Sequence, residues 1–215
     1  MNSARFMGRM NAGVSHDLCN VLATIQQSAG LLEDYLSLAR KESLKTMGLR
    51  PKFKYHDKFD TIINEVQRQV KRGQDICEGL SRLAHSPDEG QTGTDLGVAA
   101  ELLIKLCERV AKSHRMNLEV TRAGGKCIGK ISLIEALTAL EAALMGVIVA
   151  RGDGSEVRFV PGSAENAVCV DVLCGGLREE DAVSLARTLC DDTFGPFTAG
   201  AVRGGIRLVF EKAGE

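Results

Sequence analysis

Two stretches of this chain, 3–42 and 57–85, contain no proline and repeat apolar residues at helical spacing. Both run well beyond the roughly three to four turns of an ordinary globular helix. In the first, Val14, Leu18, Val21, Ile25, Ala29, Leu32 and Leu36 fall within about 45° of one pole when residues are set ~100° apart. In the second, Phe59, Ile62, Ile63, Val66, Val70, Ile76, Cys77, Leu80 and Ala84 form the stripe. Two helices, each apolar along one side, predict an antiparallel hairpin. A lone hairpin buries little surface, so a second copy covering the wide stripes is expected, giving a homodimer with a four-helix core. The connection, 43–56, is long for a bundle and basic: Lys45, Arg50, Lys52 and Lys54, with Gly48 and Pro51 as breakers. It reads either as a solvated insertion or as a contact for an acidic partner.

The pole opposite the first stripe carries Ser15-His16-Asp17-Leu18-Cys19-Asn20. His16 points away from the apolar side, Asn20 follows one turn later on the same face, and Asp17 sits beside them. Such a helix buries Leu, Val and Ile and offers an imidazole to a partner. His85 ends the second helix, where a cation complements the helix dipole. His56 and His114 flank loops and carry no constellation.

Periodicity stops at Ser86-Pro87-Asp88-Glu89-Gly90-Gln91-Thr92-Gly93, a run of turn formers that reads as a linker. Beyond it the pattern changes. Asp95 is an expected N-cap for a helix over 96–113. Residues 117–121, 156–160, 167–173 and 206–211 read as strands, and 131–150 and 178–190 as helices. That order predicts an α+β domain, an α/β sandwich with helices on one face of a sheet. With 44% apolar and 26% charged residues the composition is that of a soluble globular protein. Aromatics are only 4% and Trp is absent, so aliphatic side chains must build the core. With a net charge of -1, no nucleic-acid or membrane partner is implied by charge alone.

Seven cysteines without a C-x-x-C pair or Cys/His cluster argue against a zinc site and a disulfide framework. Their odd number fits a reducing cytoplasm. Met1–Met10 carries two Arg but no apolar run after them, and no stretch approaches the roughly 18 apolar residues of a membrane span. The longest candidate, 136–150, is interrupted by Glu141. A cytoplasmic chain with no membrane span and no metal is expected.

The segment Gly13-Val-Ser-His-Asp-Leu-Cys-Asn-Val-Leu-Ala-Thr-Ile resembles the phospho-accepting box of two-component sensor histidine kinases. In that family a helical hairpin dimerises into a four-helix bundle, and an ATP-binding sandwich of the Bergerat, or GHKL, type follows. The resemblance implies a hairpin over 1–86, a linker over 87–95 and a kinase-like ATPase domain over 96–215. It implies that His16 accepts phosphate and that Asp17 orients the imidazole and takes its proton. A carboxylate there favours the tautomer with a free, nucleophilic ring nitrogen. Asn20 sits where members with phosphatase activity place a residue that positions water, which an amide can hold without titrating.

The second domain departs from the family at three places. The helix that should carry magnesium-holding Asn residues reads Leu133-Ile-Glu-Ala-Leu-Thr-Ala-Leu-Glu-Ala-Ala-Leu-Met-Gly, and the Asn positions fall on Ala139 and Ala143. Magnesium needs oxygen ligands, which alanine lacks. The Asp-x-Gly-x-Gly motif is reduced to Gly175 and Gly176, with Leu173 at the Asp position and Asp171 two residues early on the same strand face. Gly195–Gly205 leaves no room for a lid and helix. These losses imply a sandwich with no tightly bound cofactor, no productive ATP and magnesium site, and only Gly175 and Gly176 as remnants. The resemblance then implies a dimeric histidine phosphotransferase that exchanges phosphate between His16 and the Asp of a response-regulator receiver domain. An active sensor kinase with a divergent ATP site and a non-catalytic scaffold that binds a response regulator are the alternatives.

Overall fold

A computed structural model describes residues 3–45, 56–85, 93–122, 124–191 and 196–214. The basic connection and most of the expected linker lie outside the described residues. Helix α1 spans Ser3–Lys45 and α2 spans His56–His85, close to the two stretches expected. The packing divides the chain into two compact units, Val14–Glu78 and Met1–Gly13 with Gly79–Glu215. This differs from the expected division at 1–86, 87–95 and 96–215. The physical reason is that Phe6, Met10 and Leu83, from the start of α1 and the end of α2, are buried in the same core as the helices that follow.

In the helical unit α1 and α2 run antiparallel. A Cβ at Gly73 of α2 would lie 3.3 Å from Val21 of α1, and the rings of Tyr35 and Phe59 stand 6.4 Å apart. Glycine inside a helix costs about 1 kcal/mol relative to alanine, and at Gly73 it lets the second helix approach Val21. Val14, Val21 and Ile62 are buried.

The sheet unit opens with β1 (Thr94–Asp95), α3 (Leu96–Leu106), α4 (Glu108–Ser113), β2 (Asn117–Val120), β3 (Ile128–Gly129) and α5 (Leu133–Arg151). It continues with β4 (Glu156–Ser163), β5 (Ala167–Cys174), α6 (Glu179–Asp191), β6 (Phe197–Val202) and β7 (Gly205–Glu211). Asp95 caps α3, its Oδ1 accepting from Gly97 N at 2.9 Å. The single helix expected over 96–113 is broken at Cys107 into α3 and α4. Ser132 and Glu135 form a reciprocal capping box that starts α5.

Five strands pair in the order β2-β4-β5-β7-β6, with β2 parallel to β4 and the others antiparallel. The parallel step needs a crossover, which α5 supplies. β1 and β3 form a small separate antiparallel pair. Alternation gives the sheet one buried face: Val157 and Phe159 on β4, Val168, Val170 and Val172 on β5, and Ile206, Leu208 and Phe210 on β7. The core they share is completed by α3, α5 and α6. Full burial of each such side chain contributes about 1.5–3 kcal/mol.

α5 is buried nearly all round, and it is the one helix among the described residues long and apolar enough to cross a membrane by length and composition. Here it is a core helix. At Gly205 a Cβ would meet the carbonyl oxygen of Val172 at 2.2 Å, so only glycine lets β7 approach β5 there.

Candidate functional site

Helix α1 places His16 with its side chain 56% exposed and Asp17 beside it at 13%. Val14 and Val21, on the opposite side of the turn, are buried, and the resulting orientation turns the imidazole outward. The amide nitrogen of Asn20, Nδ2, lies 3.0 Å from His16 Nδ1. The Oδ1 of Asp17 lies 3.8 Å from the same nitrogen. The structure therefore brings His16, Asp17 and Asn20 together within one turn. Among the described residues no hydrogen bond is made to Nε2. Asn20 is tied into the helix by Thr24, whose Oγ1 donates to the Asn20 carbonyl at 2.9 Å. An exposed imidazole in its neutral form can act as a nucleophile through a ring nitrogen that holds its lone pair.

The nucleotide positions named from the resemblance sit in different surroundings. Ala139 and Ala143 are both fully buried in the hydrophobic core. Glu141 is 2% exposed and accepts a bidentate pair from Arg9, Nε at 2.9 Å and Nη2 at 2.7 Å. Beside it, burial pushes the Cys107 thiol up to about 12, with the Glu141 carboxylate adding to the shift. Asp171 is on the face of β5 that alternates away from the core. It accepts two hydrogen bonds from Arg207, its cross-strand neighbour on β7, at 2.6 and 2.7 Å. That pairing holds the Arg207 proton more firmly than usual, the hydrogen bonds to Asp171 being the largest cause. Both Asp171 carboxylate oxygens are thus engaged by Arg207.

Gly175 and Gly176 make the turn after β5, and Gly176 takes φ +77°. The Nε of Arg151 donates to the Gly175 carbonyl at 3.1 Å, and a Cβ at Gly176 would lie 3.1 Å from the Arg151 guanidinium. From 196 to 205 the chain runs as β6, a turn with Gly204 at φ +75°, and the start of β7, so the segment expected to lack room for a lid supplies an edge strand instead. Ala139 and Ala143 offer no oxygen ligand for magnesium. Among the described residues no three His, Cys, Asp or Glu side chains group as metal ligands.

Arg9, Arg151 and Arg207 were not singled out in the sequence. A basic residue in the last turn of a helix is a legible signal for Arg151. Arg9 lies 132 positions from Glu141, and nothing local announces that pair.

No family model matches this chain, and no curated protein does. Solved structures similar to it are histidine kinases and a phosphotransferase. A bacterial phosphotransferase matches over 97% of each chain at 11% identity and TM-score 0.45. The histidine kinase ThkA in complex with the response regulator TrrA matches over 97% of this chain and 62% of that one, at 15% identity and TM-score 0.43. The Acinetobacter baumannii histidine kinase AdeS matches over 88% and 97%, at 11% identity and TM-score 0.43. At these identities and scores the likenesses assign no activity to this chain.

Proposed function

We propose that this protein carries a phosphoryl group on His16 and exchanges it with the aspartate of a response-regulator receiver domain in the cytoplasm. The observation that carries this reading is the exposed imidazole with Asp17 and Asn20 both at Nδ1. In the forward step the Nε2 lone pair attacks phosphorus in line. The N–P bond forms as the P–O bond to the receiver aspartate breaks, and the electron pair leaves with that carboxylate. A magnesium ion held by the receiver would supply charge neutralisation at the equatorial oxygens. The phosphate comes from a phosphorylated receiver rather than from ATP, a reading supported by the buried alanines at 139 and 143 and the ion-paired Asp171.

The protein works as a homodimer in this reading. On α1, Leu22 is 64% exposed, and Ala29 and Leu36, also exposed, follow at seven-residue intervals. On α2, Ile63, Val70 and Cys77 repeat the interval and are also exposed. An apolar seam of period seven is what a facing helix of a second copy covers. Sedimentation at the mass of two chains is the expected result.

The test is transfer of labelled phosphate from a phosphorylated receiver domain. The wild-type protein takes up label, and His16→Gln takes up none while keeping its helical circular dichroism. Label that survives the substitution overturns the reading, and label taken directly from magnesium ATP overturns its phosphate source.

A further inference from the structure

We propose that the Cys190 side chain plugs the free edge of the sheet, and that without it a second copy of this chain adds to β6. Among the described residues β6 is an edge strand, paired with β7 alone. Cys190 lies in the last turn of α6, directly after the buried Leu189. Its thiol accepts from the Ala199 N–H at 3.2 Å and donates to the Ala199 carbonyl at 3.4 Å. An N–H and a carbonyl engaged by sulfur are not in the ladder with Leu208, the residue facing Ala199 on β7. Antiparallel ladders alternate, so Phe197, Ala199 and Ala201 all turn their backbone groups to the open side. Cys190 occupies the middle of that row. An added strand would lie about 4.8 Å from β6, and the sulfur stands in its path.

A sheet edge invites pairing with another chain, and short strands, charged side chains and proline are the usual protection. The opposite edge strand, β2, has four residues and an exposed Glu119. β6 has six residues, Phe-Thr-Ala-Gly-Ala-Val, with neither charge nor proline. That composition suits a second copy. Two β6 strands meeting antiparallel about an axis at Ala199 bring no like charges opposite one another. Each outward group then meets its complement on the other copy, an isologous contact made by the same patch of both chains. A charged peptide would find no counter-charge on β6.

The experiment uses the full chain. Cys190→Ala removes the sulfur from an exposed position and leaves the core intact. In dilute solution, amide hydrogen exchange at Ala199 is expected to quicken about threefold, the low end for one net hydrogen bond. At higher concentration the variant is expected to sediment as species of larger mass than the native protein at the same concentration. Adding Thr198→Lys, at an exposed position of the same strand, charges the edge and restores the native mass. A variant that keeps the native mass throughout overturns the proposal. So do larger species that persist with Thr198→Lys, and so does an unchanged exchange rate at Ala199. Neither readout involves phosphate, so the plug is tested apart from the chemistry of His16.

Discussion

The face of α1 around His16 and the nucleotide positions of the sheet unit differ in what surrounds their polar chemistry. At His16 the reactive ring is exposed and its two partners are assembled on one helical turn. In the sheet unit, Ala139 and Ala143 are packed in the core, and Asp171 and Glu141 are each held by a guanidinium. Gly175 lies beneath a third, that of Arg151. Ala139 and Ala143 are thus engaged by core packing, and Asp171 by an internal ion pair. The contrast teaches that in the sheet unit these side chains are engaged internally, whereas at His16 the ring is offered to solvent.

The sharpest way to break that contrast is to restore what the resemblance expects. Ala143→Asn places an amide in a closed apolar site and adds volume to it. Each of those two effects carries a penalty, and together they cost about 3 kcal/mol by urea denaturation. Calorimetry with magnesium ATP is expected to stay flat for the variant. A variant that keeps its stability and binds nucleotide would mean that packing has not replaced the site.

The Arg9–Glu141 pair comes next. Arg9→Ala leaves a carboxylate that is 2% exposed without its bidentate partner. Since Arg9 itself is 44% exposed, the cost falls below the usual range for broken buried pairs, at about 2–3 kcal/mol. Glu141→Leu removes the charge and fills the space, so it costs about 1 kcal/mol or less. Equal losses in the two variants would mean that the pair acts through shape alone.

How far these features were legible in the sequence follows from how local their causes are. The periodicity that marked 3–42 and 57–85 is local, and α1 and α2 end within a few residues of it. The cap at Asp95 is equally local. The strand at Phe197–Val202 was not legible. Its Thr-Ala-Gly-Ala centre has little alternation, and its pairing is decided by β7 across a two-residue turn. The break at Cys107 was hidden too, since α3 and α4 share one continuous apolar pattern. At the site, the face shared by His16 and Asn20 followed from helix geometry. The ion pairs that occupy the sheet unit join residues far apart in the chain, and strand register has to be known before Asp171 and Arg207 become neighbours.

Cys107 gives a smaller effect with a definite sign. Its thiol is pushed up to about 12 from an ordinary 9.0. Below pH 9 both folded and unfolded chains keep the proton, and stability is unaffected. Between about 9 and 12 the unfolded chain loses it while the folded chain keeps it, so stability falls as pH rises. The loss reaches about 1 kcal/mol by pH 10, and a Cys107→Ala variant lacks this part of the slope. In the native protein Cys107 resists alkylation while the exposed Cys19, Cys77 and Cys190 react. An identical slope in the variant would assign it to other groups.

The smallest expected effect lies at Asp171, where the two regions are easiest to confuse. Its position near Gly175 makes it the natural substitute for a missing nucleotide contact, but its two oxygens are already taken by Arg207. Arg207 is 48% exposed, so water screens the pair and replaces much of what Asp171 supplies when it is removed. Asp171→Ala is therefore expected to cost about 0.5–1 kcal/mol and to leave phosphate uptake from a receiver unchanged. A loss of uptake at normal stability would place the outer face of the sheet in the transfer complex.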